Sequence, residues 1–221
     1  MLWIMVSEII RIGAEAVISK HSLMGFNVVS KRRVPKPYRI PELDKKVRES
    51  RMIHEVRVMQ ALKKAGVPCP AVLLIDREEV TIYMQYIHGI ELQRWLDVKN
   101  GDEREIASIS FSLGRLVGRL HKAGIAHGDL TTSNILVDDS SRLYLVDFGL
   151  SIFTKELEDL AVDIHLLDRS LESVHSEIRE KFMHSFLQGY AEVMGKDFTR
   201  ELISKIREIR RRGRYVEERR R

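Results

Sequence analysis

The chain has 221 residues, a net charge of +5 and 44% hydrophobic residues, a composition typical of a globular protein with one full core or with two small lobes around a cleft. No apolar run reaches the roughly 18 residues that cross a bilayer, the N-terminal run MLWIMV lacks the basic residues of a secretory signal, and the single Cys69 excludes a disulfide framework. We therefore expect a cytoplasmic protein without a membrane partner.

The first 87 residues predict a small lobe of five strands and one helix. A proline-punctuated segment, RRVPKPYRIPELD, separates the third strand from the helix, and its three prolines predict an irregular connection. Apolar residues at helical spacing predict the helix, and Gly66 ends it. The strands are predicted at 7–12, 17–21, 26–31, 71–75 and 81–87, and the helix at 44–65.

The chain from residue 88 onwards predicts a mainly helical lobe. Helical periodicity covers 91–98, 103–122, 156–171, 176–194 and 199–212, and a short hairpin is predicted from 135–137 and 143–146. The expected fold is therefore α+β with an N-terminal lobe (1–87), a C-terminal lobe (88–209) and a basic tail (210–221). A cleft between two such lobes is where a ligand is expected to bind.

The C-terminal end carries most of the excess charge. Residues 205–221 hold nine basic and three acidic side chains, a net +6, so that the rest of the chain is near neutral at −1. Such a run is either a solvated terminus or a contact surface for an acidic partner such as a phosphate backbone. The charge pattern alone does not favour one over the other.

The segment 127-HGDLTTSN-134 carries the strongest chemical signal. Handling a nucleoside triphosphate requires a carboxylate that meets the attacking hydroxyl or water, and hard oxygen ligands for Mg²⁺. Asp129 is the predicted catalytic carboxylate, and Asn134 is a predicted metal ligand. The hairpin returns the chain to 147-DFG-149, so Asp147 is the predicted second metal ligand. Protein kinases place their catalytic Asp, Asn and DFG in this order.

A phosphate-binding cation is predicted at Lys31, the last residue of the third predicted strand, with Glu55 of the helix as its ion-pair partner. A slip of register would instead select one of the neighbouring basic residues, which are Arg32, Arg33 and Lys36.

The nucleotide itself is expected to contact a turn, a strap and one further strand. The turn 13-GAEA-16 lies between the first two strands but keeps only one glycine, so an ordinary β-turn is the alternative. The strap 84-MQYIHG-89 would offer backbone groups to adenine, although its apolar residues also suit a core. The predicted contacts are Ile12, Gly13, Ala14, Glu15, Ala16, Ile18, Lys31, Met84, Gln85, Ile87 and Leu136.

The motif set departs from signalling kinases in its activation segment. Gly128 stands where those kinases have an Arg that clamps a phosphorylated loop, and only about ten residues separate DFG from the next helical pattern. We therefore expect an enzyme that is not switched by activation-loop phosphorylation. His127 is expected to support the catalytic loop and not to act as a base.

These motifs lead to a resemblance that covers the whole chain. The segments 13-GAEA-16, 31-KRRVPKPYRIPELD-44, 127-HGDLTTSN-134, 147-DFGLS-151, 158-EDLAVDIHLLDR-169 and 210-RRRGRY-215 resemble the PRPK family, the small atypical kinase/ATPase subunit of the KEOPS (EKC) tRNA-modification complex, in its archaeal form.

The resemblance implies a two-lobed protein-kinase-like fold that binds ATP and Mg²⁺. It implies Ser/Thr autophosphorylation or phosphorylation, and ATPase activity that supports threonylcarbamoylation of the adenosine next to the tRNA anticodon. The implied partners are the threonylcarbamoyl-transferase subunit on the C-terminal lobe, a small regulatory subunit on the N-terminal lobe, and tRNA on the basic tail. Asp163 resembles the buried helical Asp that braces the catalytic loop.

Two alternatives remain open on the sequence. A RIO-type or small-molecule kinase also uses an HGD loop, although the proline-rich segment and basic tail argue against it. A pseudokinase scaffold would bind partners without chemistry, but it has no need to retain the catalytic set of Lys31, Glu55, Asp129, Asn134 and Asp147.

Overall fold

A computed structural model describes residues 5–23, 25–99 and 102–218, with side chains between residues 8 and 212. Its first part is an antiparallel five-stranded sheet, as the sequence predicted, with the spatial order β1-β2-β3-β5-β4. The strands are β1 (Met5–Ile12), β2 (Ala16–Leu23), β3 (Phe26–Arg33), β4 (Val72–Asp76) and β5 (Thr81–Gln85).

Strand β3 continues two residues beyond its predicted end. Lys31 is therefore not the last residue of the strand, as the sequence suggested, because Arg32 pairs with Thr81 of β5 and Arg33 pairs with Ala16 of β2. Alternate residues of a strand face the same side, so Lys31 and Arg33 project from the same face of β3. Both side chains are buried.

Helix α1 (Pro41–Lys64) packs against that sheet. The expectation that all three prolines of the preceding segment exclude regular structure was wrong for Pro41, which lies in the first helical turn. A proline is tolerated there because the first N–H groups of a helix have no helical partner. Gly66, with φ of +68°, follows the end of the helix as predicted. The buried face of α1 consists of Asp44, Met52, Glu55, Val56, Val58, Met59 and Leu62.

The second part of the chain is mainly helical. A three-stranded sheet with the order β6-β8-β9 and a short β7-β10 pair are the remaining strands among the described residues. The sequence predicted two of these five, β8 and β9. They are β6 (Gly89–Glu91), β7 (Ile125–Ala126), β8 (Ile135–Asp138), β9 (Leu143–Leu145) and β10 (Ile152–Phe153). The helices are α2 (Leu92–Val98), α3 (Glu103–Lys122), α4 (Leu157–Val174), α5 (Arg179–Met194) and α6 (Lys196–Glu218).

Helices α3 and α5 form the centre of this helical part. They approach so closely that a Cβ on Gly114 would lie 1.9 Å from the carbonyl oxygen of Phe186, and a Cβ on Gly189 would lie 2.0 Å from that of Phe111. The apolar core is continuous from Met52 in α1 to Leu202 in α6, so it supports the cleft from both sides. None of the described helices is long and apolar enough to cross a bilayer.

Candidate active site

A cavity of about 470 Å³ lies between the five-stranded sheet and the helical part. Its walls come from β1, β2, β3, α1, β5, the strap after β5, β6, α2, the loop that carries Asn134, β8 and the DFG segment. Nine of the residues predicted to bind nucleotide or metal, or to hold the cation, line it: Ile18, Lys31, Glu55, Met84, Gln85, Ile87, Asn134, Leu136 and Asp147. The volume is that of a site for a small organic ligand.

Lys31 lies at the inner end of this cavity, between two carboxylates. Its Nζ donates to Glu55 Oε1 at 2.6 Å and to Asp147 Oδ1 at 2.7 Å. Burial alone would lower the pKa of Lys31, but the negative charges of Glu55 and Asp147 outweigh it and raise the pKa above its ordinary value. Lys31 is therefore a fixed ammonium group that faces the cavity, in the position predicted for a phosphate-binding cation.

Glu55 has a second cationic partner that the sequence did not predict. Arg33 Nη2 donates to Glu55 Oε2 at 2.6 Å, so each carboxylate oxygen is bound by a different cation. The alternation of β3 was the available signal, since it places Arg33 on the same face as Lys31. The sequence indicated Arg33 only as an alternative to Lys31, whereas the structure uses both.

Asp147 has a left-handed backbone, with φ of +64°. A non-glycine residue adopts this conformation at a cost of about 1–3 kcal/mol, and such residues cluster at functional sites. Its side chain is 40% exposed. Burial alone would raise the pKa of Asp147, but the Lys31 ammonium outweighs it and holds the pKa below its usual range. Asp147 is thus an ionised carboxylate at the cavity wall.

Asp129 and Asn134 are joined within one loop. Asn134 Nδ2 donates to both the backbone oxygen and Oδ2 of Asp129, each at 2.9 Å. The backbone oxygen of Asn134 accepts from Val146 N at 3.0 Å, which places Asn134 beside the DFG segment. Asp129 does not line the cavity directly. It is hydrogen-bonded to Asn134, which does line the cavity.

The catalytic loop that carries Asp129 is held by a buried carboxylate of α4. Asp163 accepts from His127 N at 2.5 Å, from Gly128 N at 2.8 Å, and from the His121 ring at 3.2 Å. The two backbone contacts are those implied for Asp163 by the family resemblance, and the contact with the His121 ring is additional. His127 Nε2 lies 3.1 Å from the backbone oxygen of Val146. Burial lowers the pKa of His127, with Asp163 opposing it, so the ring is suited to a structural position.

The backbone conformation and close packing at position 128 require glycine, and therefore exclude the arginine that signalling kinases have there. The φ of Gly128 is +78°, and an added Cβ would lie 2.1 Å from the carbonyl oxygen of Leu150. The short activation segment therefore packs directly on the catalytic loop. Two further bonds hold the segment: Ser151 Oγ donates to His127 O at 3.0 Å, and His54 of α1 binds Ser151 O at 2.7 Å.

The turn after β1 makes contacts other than those predicted. The predicted nucleotide contacts Ile12, Gly13, Ala14, Glu15 and Ala16 do not line the cavity, and their binding of nucleotide remains a prediction. Glu15 instead forms an ion pair with Arg51 of α1 and lies 3.8 Å from Arg33. The Arg51 hydrogen bond keeps the pKa of Glu15 below its ordinary value, and burial opposes this effect without cancelling it.

The donor set beside the cavity fits Mg²⁺. Asp147 supplies an ionised carboxylate, and Asn134 uses its amide nitrogen for Asp129, which leaves its amide oxygen available as a ligand. Two hard oxygen ligands suit Mg²⁺, which takes its remaining ligands from water and phosphates. Within the described part of the chain, no group of three or more His, Cys, Asp or Glu side chains could hold a metal ion.

Helix α6 contains most of the segment predicted as a basic tail. Arg210 forms ion pairs with Asp168 and Glu172 of α4, and Arg212 pairs with Glu158 and Glu208. These contacts neutralise part of the basic charge locally. Residues 219–221, which complete the predicted tail, lie outside the described residues.

Comparison with known proteins agrees with the motifs. A family model described as a protein kinase domain matches residues 32–166. The KEOPS complex subunit Bud32 of Pyrococcus abyssi is 42% identical over 216 residues, covering 95% of this chain and 97% of that protein. A probable serine/threonine-protein kinase BUD32 homolog of Archaeoglobus fulgidus is 41% identical over 191 residues, covering 86% of this chain and 90% of that protein.

Longer relatives carry the same unit as one part. A probable bifunctional tRNA threonylcarbamoyladenosine biosynthesis protein of Methanosarcina acetivorans is 40% identical over 207 residues, 92% of this chain but 35% of that protein. The chain thus spans about a third of the bifunctional relatives. The matches confirm the two-lobed protein-kinase-like fold and the kinase-like phosphotransferase class. The chain belongs to the protein kinase family and, within it, to the Bud32 group of KEOPS subunits.

Proposed function

We propose that the chain is an ATP-dependent Ser/Thr kinase and ATPase that acts as a subunit of the KEOPS complex and supports threonylcarbamoyladenosine modification of tRNA next to the anticodon. The observation that carries the chemical part is the double ion pair of Lys31 with Glu55 and Asp147, beside the bonded Asp129 and Asn134. The biological part is supported by the names of the P. abyssi relative and of the bifunctional relatives.

Asp129 has the geometry to accept a hydrogen bond from the attacking hydroxyl or water. Asn134 binds its Oδ2 and its backbone oxygen, so one carboxylate oxygen is held, while Oδ1 accepts no hydrogen bond from the residues that the structure describes. A positioned carboxylate of this kind orients the nucleophile and receives its proton. The Asp163 contacts to the same loop hold Asp129 in place before substrate arrives.

Lys31 would bind the α- and β-phosphates, and the apolar walls of the cavity would receive adenine. Ile18, Met84 and Leu136 supply that apolar surface, and the strap after β5 would offer its backbone groups at Gln85 and Ile87. Asn134 and Asp147 would hold Mg²⁺, which neutralises charge on the transferred phosphoryl group when bound.

Asp129→Asn tests the chemistry. We expect ATP turnover to fall by about two to four orders of magnitude, the usual contribution of a positioned acid or base, while nucleotide binding is retained. Asp139→Asn is the matched control, since Asp139 is exposed in the turn after β8, and it should leave turnover unchanged. Turnover by the Asp129→Asn protein at the unaltered rate would contradict the assignment.

Adding partners tests the biological role. ATP turnover is measured for the chain alone, with the purified transferase subunit, and with tRNA added; we expect a rise that requires the partners. In a reconstituted complex, tRNA modification should be lost with Asp129→Asn. Modification at the normal level by that variant would favour a scaffold without chemistry, and turnover only with a sugar or other small hydroxyl compound would favour the small-molecule kinase.

The proposed interfaces place the transferase on the C-terminal lobe, the small regulatory subunit on the N-terminal lobe and tRNA on the basic end. Arg210 and Arg212 already pair with α4 carboxylates, so deleting them would also disturb packing. A variant with Arg211 and residues 219–221 changed to Gln leaves the ion pairs of Arg210 and Arg212 in place. It should bind tRNA more weakly and with a shallower salt dependence, by up to roughly 0.9 in slope for each phosphate that is no longer neutralised. An unchanged salt slope would contradict tRNA binding at this end.

A further inference from the structure

Arg33 is a buried cation that the reaction itself does not use. Its side chain is 4% exposed, and it is not among the residues that line the nucleotide cavity. Its closest charged contact is Glu55 Oε2 at 2.6 Å. A buried guanidinium is retained only when it is paired, so Glu55 is the partner that keeps Arg33 in the interior.

Arg33 and Lys31 bind Glu55 in different ways. Lys31 divides its hydrogen bonds between Glu55 and Asp147. Under the proposed function it must also contact the phosphates of ATP. Within the described part of the chain, the carboxylates that pair with Arg33 are those of Glu15 and Glu55, and Asp147 is not among them. Arg33 can therefore hold Glu55 constantly, while the contacts of Lys31 change during turnover.

Arg33 also lies where three parts of the site meet. Its Nη1 is 3.8 Å from Glu15 in the turn after β1. Its Nη2 lies 3.5 Å from where a Cβ on Gly149 of the DFG segment would stand. Backbone bonds tie the same region together, because Val34 N donates to Glu15 O at 3.1 Å. The turn, helix α1 and the DFG segment thus all pack around one guanidinium.

We infer that Arg33 is a positioning residue that keeps Glu55, helix α1 and the turn 13–16 in the catalytic arrangement without a phosphorylated activation segment. The inference rests on the proposed function for its catalytic meaning. In many kinases the Lys–Glu ion pair forms only when helix position and activation-loop phosphorylation allow it. Here the activation segment is short and Glu55 is bound by a second cation from the same strand as the lysine, so the ion pair has a permanent support.

The test compares Arg33→Gln, Arg33→Lys and Arg32→Gln in the 221-residue chain. Arg32 is the matched control, since it is the next residue, is 56% exposed and lies a long 3.7 Å from its partner Glu79. Amide hydrogen exchange is measured without ligand, together with kcat and KM for ATP. We expect Arg33→Gln to speed exchange in α1 and the turn 13–16 while α3 and α5 keep their protection.

The steady-state kinetics of the same variants should distinguish Arg33 from its control Arg32. For Arg33→Gln we expect kcat to fall by about tenfold or more, equivalent to about 1.4 kcal/mol or more of barrier, with a smaller change in KM because Arg33 does not line the nucleotide cavity. Arg33→Lys keeps the charge and should recover most of the exchange protection and kcat. Arg32→Gln should match the unaltered protein in both measurements.

Three results would overturn the inference. In the first, Arg33→Gln leaves amide exchange in α1 and the turn unchanged. In the second, it accelerates exchange in α3 and α5 equally, which marks a general loss of stability. In the third, Arg33→Lys recovers no more exchange protection and kcat than Arg33→Gln. Absence of ATP turnover in the unaltered protein with its partners would count against the proposed function alone. The ligand-free exchange comparison would still decide the role of Arg33.

Discussion

Replacing Asp163 with Asn should destabilise the protein strongly although the side chain keeps its shape. The Asp163 carboxylate is fully buried and accepts from two consecutive backbone N–H groups and from the His121 ring. An amide offers one accepting oxygen and one donating nitrogen. Whichever way it is oriented, the nitrogen faces the N–H of either His127 or Gly128.

The expected loss follows from those contacts. One hydrogen bond to a charged acceptor disappears, at about 1.5–3 kcal/mol, and leaves a buried N–H without a partner. The backbone bond that remains changes from a charged to a neutral acceptor and loses roughly half of its strength, about 1 kcal/mol. The free energy of unfolding should therefore fall by about 2.5–4 kcal/mol, which is a large share of the roughly 5–15 kcal/mol of a typical domain.

Urea unfolding followed by far-UV circular dichroism measures this loss, with Asp139→Asn as the exposed control that should change stability by less than about 0.5 kcal/mol. ATP turnover should fall as well, because the loop that carries Asp129 loses an anchor. A loss below about 1 kcal/mol in Asp163→Asn with an unchanged m value would refute the argument that this carboxylate holds the catalytic loop.

Three further predictions concern backbone approach and pH. Gly128→Ala should lower the free energy of unfolding by about 2–5 kcal/mol, because alanine is strained at φ of +78° and its Cβ would clash with Leu150 O. A thermal midpoint equal to that of the unaltered protein would contradict this. Gly114→Ala should lower the free energy of unfolding in urea by about 1–3 kcal/mol, because its Cβ would lie 1.9 Å from Phe186 O. An unchanged free energy of unfolding would mean that α3 and α5 can move apart without cost. Burial lowers the pKa of His127 below 6.5, so on acidification the His127 ring takes up a proton in the unfolded chain before it does so in the folded protein. The free energy of unfolding should therefore decrease as pH falls below about 6.5. Urea midpoints that stay the same between neutral and mildly acid pH would argue against a buried neutral ring.

Local pattern was enough to predict the elements that depend on local interactions. Helix α3 was predicted with the bounds that it has, Glu103–Lys122, because a regular apolar face runs through it. The order of five strands around one long helix also followed from periodicity and turn residues. The spacing of Asp129, Asn134 and Asp147 indicated the chemistry because a loop and a hairpin constrain where those side chains stand. The bounds of β3 and α1 were less accurate, since sheet pairing extended the strand and Pro41 fitted the first turn of the helix.

Contacts between distant segments were decided only by the tertiary structure. Nothing in the sequence around Glu15 indicates that it pairs with Arg51 of α1, or that Gly128 leaves room for the backbone of Leu150. Arg33 could be placed on the correct face of β3 by alternation, but its partner Glu55 lies 22 positions away. Periodicity fixes the direction of a side chain relative to its own element, whereas a buried ion pair depends on how two elements pack, and that packing is set by the whole core.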